Sequence, residues 1–176
     1  MHIGSSSRSP NTSPDAPLMV MTSLLWQNLM HAFLDWVTSG KLERFPRLKI
    51  VLVEGQVGWM PFVLERLDSL WERRDSYGGA SSLAGNLTKS PRQCLEDRVF
   101  GCVFDDVHGL KSRDQIGMKQ IMFETDFPHT DGTWPNSAAV LSKLVTEAGL
   151  NEEETYMLAR GNAIRCYGLE RFGIEV

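Results

Sequence analysis

Residues 48–54 read LKIVLVE, and residues 58–74 read GWMPFVLERLDSLWERR. The first segment is a continuous apolar run with β-branched residues and a charged end, which is typical of a strand covered on both faces, as in parallel sheets. The second has apolar residues at three- and four-residue spacing and a proline in its first turn, where a helix tolerates it. The apolar stripe consists of Met60, Val63, Leu64, Leu67 and Trp71. A strand followed at once by such a helix predicts one unit of a parallel α/β fold.

The same alternation continues on both sides of this unit. RVFGCVFD at residues 98–105 and KQIMFETD at residues 119–126 predict two further strands. Predicted helices occupy residues 23–40, 107–116, 137–148 and 152–159, with a last short helix ending near Gly168. With the short opening segment, Met1 to Gly4, this order predicts a parallel sheet of about four strands joined by helical crossovers.

A polar stretch at residues 75–97 interrupts the alternation. It contains Gly78, Gly79, Gly85 and several serines. The stretch is too long for a tight connection, so it is interpreted either as a mobile lid or as a disordered insertion.

The bulk composition fits one globular domain. The chain has 176 residues, of which 42% are hydrophobic, enough to form a core. Its formal net charge is -4, and its longest basic cluster is the pair Arg73 and Arg74, so no nucleic-acid partner is expected. No apolar run approaches the roughly 18 residues of a membrane span, so no membrane association is expected.

The cysteines and the first residues indicate the cellular compartment of the protein. Cys94, Cys102 and Cys166 form no CxxC pair, and their odd number suits a reducing compartment. We expect them to be small buried apolar residues. The first residues show no signal-peptide pattern, so a cytoplasmic location is predicted.

Chemically useful side chains follow the predicted strands directly. They are His2, Glu54, Asp105 or Asp106, and Asp126. Because the carboxyl ends of parallel strands lie at one rim, we expect these side chains to converge there. A histidine with carboxylates suits a divalent metal ion, which lowers the pKa of bound water to about 7, and Asp126 could take the proton. The set predicts metal-assisted hydrolysis.

Each of these residues also has a structural interpretation. An aspartate before a Phe-Pro turn, as at Asp126, is commonly a turn former or a helix cap. Glu54 could cap the next helix, where a carboxylate meets the positive end of the dipole. His31 is expected to be a surface or packing residue. The spacing matches no compact metal motif such as HExxH, so both interpretations stay open at each position.

Several longer motifs occur in a fixed order along nearly the whole chain. They are HIGSSS at residues 2–7, TSPDAP at 12–17, LERFPRLKIVLVEGQVGWMPFVLERLD at 42–68, IGMKQIMFETDFPHTDGTWP at 116–135 and GNAIRCYGL at 161–169. Together they resemble the second half of the amidohydrolase-related family of metal-dependent hydrolases, whose relatives include the aminocarboxymuconate semialdehyde decarboxylases.

The resemblance implies a role for each candidate residue. Asp126 would be the acid after strand eight, a metal ligand and the catalytic proton-transfer residue, and His2 the metal-binding histidine after strand five. Glu54 stands where the decarboxylase relatives carry a histidine, and it is expected to bind substrate or order water. His129 and Trp134, with Asp131, would line the substrate mouth. One divalent ion is expected, Zn²⁺ in preference to Mn²⁺.

The resemblance also implies a partial fold. We expect one domain over residues 1–176, the C-terminal half of a TIM-type (β/α)8 barrel with strands five to eight and a polar insertion at 75–97. Family members are longer and carry a His-x-His or Glu-x-His pair on their first strand, which these residues do not contain. The expected site therefore has too few ligands for tight metal binding.

Three explanations of this half barrel are open. The first is that the sequence is part of an enzyme acting on a small organic carboxylic acid, lactone or amide, by hydrolysis or non-oxidative decarboxylation. This chain alone would then have little or no activity. The second is a degenerate half barrel that binds small ligands or another subunit without catalysis. The third is a non-catalytic interaction module whose half barrels pair as a homodimer, since an open sheet exposes two edges.

Overall fold

The computed structural model describes residues 1–5, 8–77, 84–85 and 87–175, and within them the strands form a parallel sheet. The strands β1 (Ile50–Leu52), β2 (Val99–Val103) and β3 (Ile121–Phe123) lie in the order β1-β2-β3. In register, Val51 lies opposite Phe100, and Cys102 lies opposite Met122. The prediction of a parallel α/β sheet is confirmed.

The opening segment occupies the place of a fourth strand without forming a full one. His2 makes a single parallel bridge with Val53, just after β1. The Val53 N–H donates to the Met1 carbonyl at 2.7 Å. Residues Ile3–Ser5 then turn into a 3-10 helix, so the pairing ends after one bridge.

Helices follow each strand, with somewhat different bounds from those predicted. The α-helices are α1 (Leu18–Leu24), α2 (Trp26–Thr38), α3 (Lys41–Arg44), α4 (Met60–Glu72), α5 (Pro91–Leu95), α6 (Val107–Lys111), α7 (Arg113–Ile116), α8 (Ser137–Ala148), α9 (Glu152–Tyr156) and α10 (Asn162–Tyr167). Short 3-10 helices lie at Arg74–Tyr77, Met118–Gln120 and Leu169–Phe172, and a π-helical turn at Met157–Gly161 joins α9 to α10.

Three predicted helices are divided in the structure, and the one at 152–159 becomes α9 followed by the π-helical turn. The helix predicted at 23–40 begins earlier and is divided at Leu25 into α1 and α2, and the helix predicted at 107–116 is divided at Ser112. By contrast, α8 spans the predicted 137–148, and α10 ends at Gly168, whose φ of 62° is left-handed. The left-handed conformation favours glycine there.

The core has two layers because successive strand residues point to opposite faces of the sheet. Leu52, Val99 and Ile121 pack against the helices. Phe100 and Cys102 belong to a second cluster on the other face. Residue 101, between Phe100 and Cys102 in β2, must be a glycine, since a Cβ at this position would lie less than 3.0 Å from Cγ1 of Val57.

The polar stretch at 75–97 is described in part. Residues 78–83 and 86 lie outside the described residues, so the interpretation as a lid or insertion stays a prediction. The stretch ends in α5, which Ser90 and Gln93 begin with a capping box. Glu43, in α3, accepts hydrogen bonds from the Thr88 N–H at 3.0 Å and the Thr88 hydroxyl at 2.6 Å. These bonds attach the residues just before α5 to α3.

The cysteines are free thiols and all three are buried, as predicted. Among the described residues, no helix combines the length and apolar character that crossing a membrane requires.

Candidate active site

Side chains from separate segments meet at one rim of the sheet. His2 lies in the segment bridged to β1, Glu54 follows β1 by two residues, and Asp126 follows β3 by three. Parallel strands place all their carboxyl ends on the same side, which brings these positions together. His129, in the turn after Asp126, completes the group.

The four side chains contact one another directly. His2 Nε2 pairs with Oε1 of Glu54. His129 Nδ1 lies 2.8 Å from Oδ1 of Asp126 and 3.8 Å from Oε1 of Glu54. The two imidazole rings meet edge to face, with centroids 6.2 Å apart. The predicted convergence of His2, Glu54 and Asp126 is therefore a feature of the fold, although their chemical roles stay predictions.

The carboxylates are buried and the imidazoles are partly open. The side chains of Glu54 and Asp126 are 9% and 8% exposed, whereas those of His2 and His129 are 41% and 58% exposed. A small molecule in the cleft can reach His129 and the two carboxylates, which all line the cleft.

Burial and mutual proximity shift the titration of this group. Burial raises the pKa of the Glu54 carboxyl, and the hydrogen bond and negative charge of Asp126 raise it further, against the lowering effect of the two histidines. The hydrogen bond to Asp126 raises the pKa of His129, and the charge of the same carboxylate adds to this effect. Glu54 is thus more easily protonated than an ordinary glutamate, and His129 more easily than an ordinary histidine.

The backbone at this rim adopts a conformation that L-residues rarely use. Glu54, Gln56 and Asp126 have φ values of 66°, 53° and 53°. Left-handed φ at a non-glycine residue costs about 1 to 2 kcal/mol, and such residues cluster at functional sites. Of the non-glycine residues with positive φ in the described part of the chain, only Asp97 lies elsewhere.

Glu124 lies behind Glu54. Its carboxylate Oε1 accepts a hydrogen bond from the backbone N–H of Glu54 at 2.8 Å. Burial raises the pKa of Glu124 to about 7, and the charges of Glu54 and Asp126 act in the same direction. Sequence reasoning did not single out this residue. No residue pattern indicated it, because its partner is the backbone N–H of Glu54, 70 residues away along the chain.

A cleft of about 720 Å³ opens in front of the cluster. Its walls combine acidic, hydroxyl and aromatic side chains. The lining residues include Glu54, Asp126, His129, Asp105, Asp131, Gln56, Thr22, Ser23, Thr130, Trp26 and Phe104. None of the described residues that line it is a lysine or an arginine. Gln56 and Trp26 had no distinguishing sequence pattern, since both precede or begin ordinary helical segments.

The two aspartates after β2 have different positions. Asp105 lines the cleft. Asp106 instead accepts hydrogen bonds from the N–H groups of Val57 at 2.7 Å, Gly58 at 2.6 Å and Gly109 at 2.7 Å. Asp106 therefore caps α6 and holds the loop between β1 and α4. Its role is structural, and of the two aspartates Asp105 is the one that lines the cleft.

Trp134, predicted to line the substrate mouth, lies farther out. It is 65% exposed and meets Phe127 edge to face at a centroid distance of 5.6 Å. Asp131 does line the cleft, together with Thr130. Substrate contact by Trp134 stays a prediction.

The cluster fits a metal ion by donor type and by proximity. One ligand atom from each of His2, Glu54 and His129 lies within 4.8 Å of the other two. Imidazole nitrogen and carboxylate oxygen are the ligands that Zn²⁺ takes in catalytic sites. The predicted metal ligands were His2 and Asp126. In the structure Asp126 is not one of the three clustered donors, but it contacts one of them, His129. The donors now contact one another, so an ion would replace those contacts.

Comparison with protein-family models gives a match over most of the chain. The amidohydrolase family model matches residues 2–169. No curated protein matches the sequence. Two similar solved structures are an amidohydrolase from Mycobacterium avium subsp. paratuberculosis K-10 and 5-carboxyvanillate decarboxylase LigW from Sphingomonas paucimobilis.

The two structures share the fold over most of this chain. The mycobacterial amidohydrolase superposes with a TM-score of 0.64 at 21% identity, covering 85% of this chain and 36% of its own. The decarboxylase superposes with a TM-score of 0.61 at 25% identity, covering 91% of this chain and 44% of its own. The chain thus spans less than half the length of either relative, and its sheet is part of a barrel.

Proposed function

The chain belongs to the amidohydrolase family, and from this membership we propose that it forms part of a metal-dependent active site that hydrolyses or decarboxylates a small organic molecule. Because it spans 36% and 44% of the two relatives, we expect little activity from this chain alone.

The observation that carries this proposal is the clustering of His2, Glu54 and His129 within 4.8 Å at the carboxyl ends of the strands. These three residues would hold the ion, with Asp126 beside them. A bound divalent ion supplies Lewis-acid polarisation and makes water a nucleophile near neutral pH. Zn²⁺ is the ion that this nitrogen and oxygen set favours, with Mn²⁺ as the alternative.

The proton-transfer role falls to Asp126, which lies beside the three proposed ligands. The 2.8 Å contact between Asp126 and His129 couples a buried carboxylate to an imidazole that is open to the cleft. Asp126 accepts the Nδ1 proton of His129 and sets the orientation of the ring, which leaves Nε2 as the ring atom that would bind the ion.

The charges of the cleft favour a neutral substrate. Glu54, Asp105, Asp126 and Asp131 line it, and its described lining has no lysine or arginine to bind an anion. A substrate carboxylate would be repelled by these acids, whereas a lactone or amide would not. Trp26 and Phe104 provide an apolar wall. Hydrolysis of a lactone or amide is therefore the proposed reaction.

Non-oxidative decarboxylation is the second candidate. It is supported by the similarity to 5-carboxyvanillate decarboxylase at 25% identity. A bound ion would offset the acidic lining for a carboxylate substrate. Assays of both reaction types with the same preparation distinguish the two candidates.

Metal analysis of the purified chain tests the site. We expect close to one zinc ion per chain after equilibration with Zn²⁺, and its loss in His2→Ala and in His129→Ala. His31→Ala is the matched control, because His31 is an exposed helical histidine outside the cluster. Trace metal in the parent chain, or equal loss in the His31 variant, would contradict the proposal.

The interaction-module alternative is supported by one feature of the sheet. β3 is the last strand in the order β1-β2-β3, so within the described residues one of its sides has no strand partner. Such an edge can pair with another chain. Light scattering decides whether the chain is a dimer, and a metal-free dimer would favour this alternative over the enzyme.

A further inference from the structure

Glu124 connects the two outer strands of the sheet. It follows β3, and its Oε1 accepts the backbone N–H of Glu54, which follows β1, at 2.8 Å. Since β2 lies between β1 and β3, the contact passes from one outer strand to the other over the end of the middle strand. The backbone ladders join each of these strands to β2, and the Glu124 side chain adds a direct contact between their ends at the rim.

The N–H that Glu124 accepts belongs to a residue in an unfavourable conformation. Glu54 has a φ of 66°, which a non-glycine residue holds only when its surroundings impose it. The same loop is held again at Gln56, whose Oε1 accepts the Phe104 N–H at 3.3 Å. In both contacts a side-chain oxygen accepts a backbone N–H. Each contact involves a left-handed residue of the loop after β1: Glu54 as the donor and Gln56 as the acceptor.

The conformation of Glu54 decides where its carboxylate lies. Its Oε1 pairs with His2 and stands 3.8 Å from Nδ1 of His129. A rotation of the Glu54 backbone toward ordinary φ values would redirect the Cα–Cβ bond and separate the carboxylate from both imidazoles.

We propose that Glu124 is a positioning residue, which accepts the Glu54 N–H and thereby holds the Glu54 carboxylate between His2 and His129. This inference rests on the proposed function for its purpose, since the cluster is the proposed metal site, but the contact itself is independent of it. The required property is an acceptor oxygen at this point. Glutamine retains that oxygen, and leucine has similar bulk without it.

Amide hydrogen exchange of the ¹⁵N-labelled 176-residue chain tests the contact. The Glu54 amide should be protected in the parent chain and in Glu124→Gln, and should exchange at least about ten-fold faster in Glu124→Leu, because that variant removes its hydrogen-bond acceptor. Glu147→Leu, on an exposed part of α8, is the control and should leave Glu54 protected. If Glu124→Leu does not fold, an unprotected Glu54 amide in the parent chain is sufficient to overturn the proposal.

Zinc titration of the same proteins tests the role. Loss of a group that orients a metal ligand weakens binding about 10- to 100-fold, so Glu124→Leu should bind Zn²⁺ at least about ten-fold more weakly, while Glu124→Gln stays close to the parent. Equal affinity in Glu124→Leu and the parent would overturn the proposal.

The two proposals fail in different ways. A parent chain that binds no zinc contradicts the proposed function. The positioning role is then decided by the His2 imidazole resonances, which should move in Glu124→Leu and stay in place in Glu124→Gln. Unchanged His2 resonances in Glu124→Leu would overturn it.

Discussion

The Nδ1 atom of His129 lies 2.8 Å from Oδ1 of Asp126, three residues earlier in the chain. The backbone reinforces this contact, because the His129 N–H donates to the Asp126 carbonyl at 2.9 Å. A single turn therefore carries both groups into the cleft as one unit. In this unit the buried carboxylate orients the imidazole, an arrangement that commonly accompanies metal-bound histidines.

Asp126→Asn should weaken zinc binding. Asparagine is close in shape to aspartate, but it removes the negative charge behind His129 and beside Glu54, and an outer carboxylate of this kind changes metal affinity about 10- to 100-fold. Asp131→Asn is the matched control, since Asp131 lines the cleft without belonging to the cluster. Isothermal titration with Zn²⁺ measures both, and equal losses would assign the effect to general charge.

Asp106→Ala should destabilise the fold. Its carboxylate accepts two backbone N–H groups from the loop before α4 and one from the first turn of α6, and their loss should lower the free energy of unfolding by about 2 to 4 kcal/mol. Asp105→Ala, the adjacent residue, should change it by about 0.5 kcal/mol or less. Urea unfolding with an unchanged m-value gives both numbers. Similar effects at the two positions would rule out the bridging role of Asp106.

The Arg113–Glu154 ion pair predicts a loss of stability at acid pH. Arg113 Nε lies 2.6 Å from Glu154 Oε1, and this hydrogen bond lowers the pKa of Glu154 in the folded chain. A lowered folded pKa means that the stabilisation is complete above the unfolded value of about 4.3 and disappears as the pH falls through the folded value.

Glu154→Gln isolates this contribution. The parent should exceed the variant by about 0.5 to 1 kcal/mol near pH 7, and the difference should shrink below about pH 4. Glu153→Gln, an exposed residue in the same turn, should show no such pH dependence. Unfolding at a series of pH values makes the comparison, and a difference that persists at low pH would indicate packing instead of charge.

Gly101→Ala should destabilise the centre of the sheet. The added Cβ would lie less than 3.0 Å from Cγ1 of Val57, which is itself fully buried, and such overpacking costs about 1 to 3 kcal/mol. The double variant with Val57→Ala removes the opposing methyl group. Its destabilisation should therefore be smaller than the sum of the single effects, and strict additivity would show that the two residues do not clash.

Much of the fold was predictable from local sequence patterns. The apolar runs at 48–54, 98–105 and 119–126 each contain an observed strand, because parallel strands are buried on both faces and need such runs. Alternation with helices then implied parallel order. Strand and helix ends were less accurate, since they depend on tertiary contacts such as the bridge of His2 to Val53.

The candidate site was predictable in its members more than in its geometry. His2, Glu54 and Asp126 could be selected because topology alone places strand ends at one rim. The contacts between their side chains could not be predicted, since Glu54 and Asp126 have left-handed φ values that no residue pattern indicates. Glu124 was missed for the same reason, as its partner is the backbone N–H of Glu54, 70 residues away.

By itself, the sequence determined the alternation of strands and helices, the family motifs and the set of polar residues at the strand ends, because these follow from local periodicity and residue type. Only the tertiary structure decided that His129 pairs with Asp126, that Glu124 holds Glu54, and that Asp106 bridges loops while Asp105 faces the cleft. Those choices depend on distances of a few ångströms between segments far apart in the chain, and such distances are set by the packing of the whole sheet and its helices.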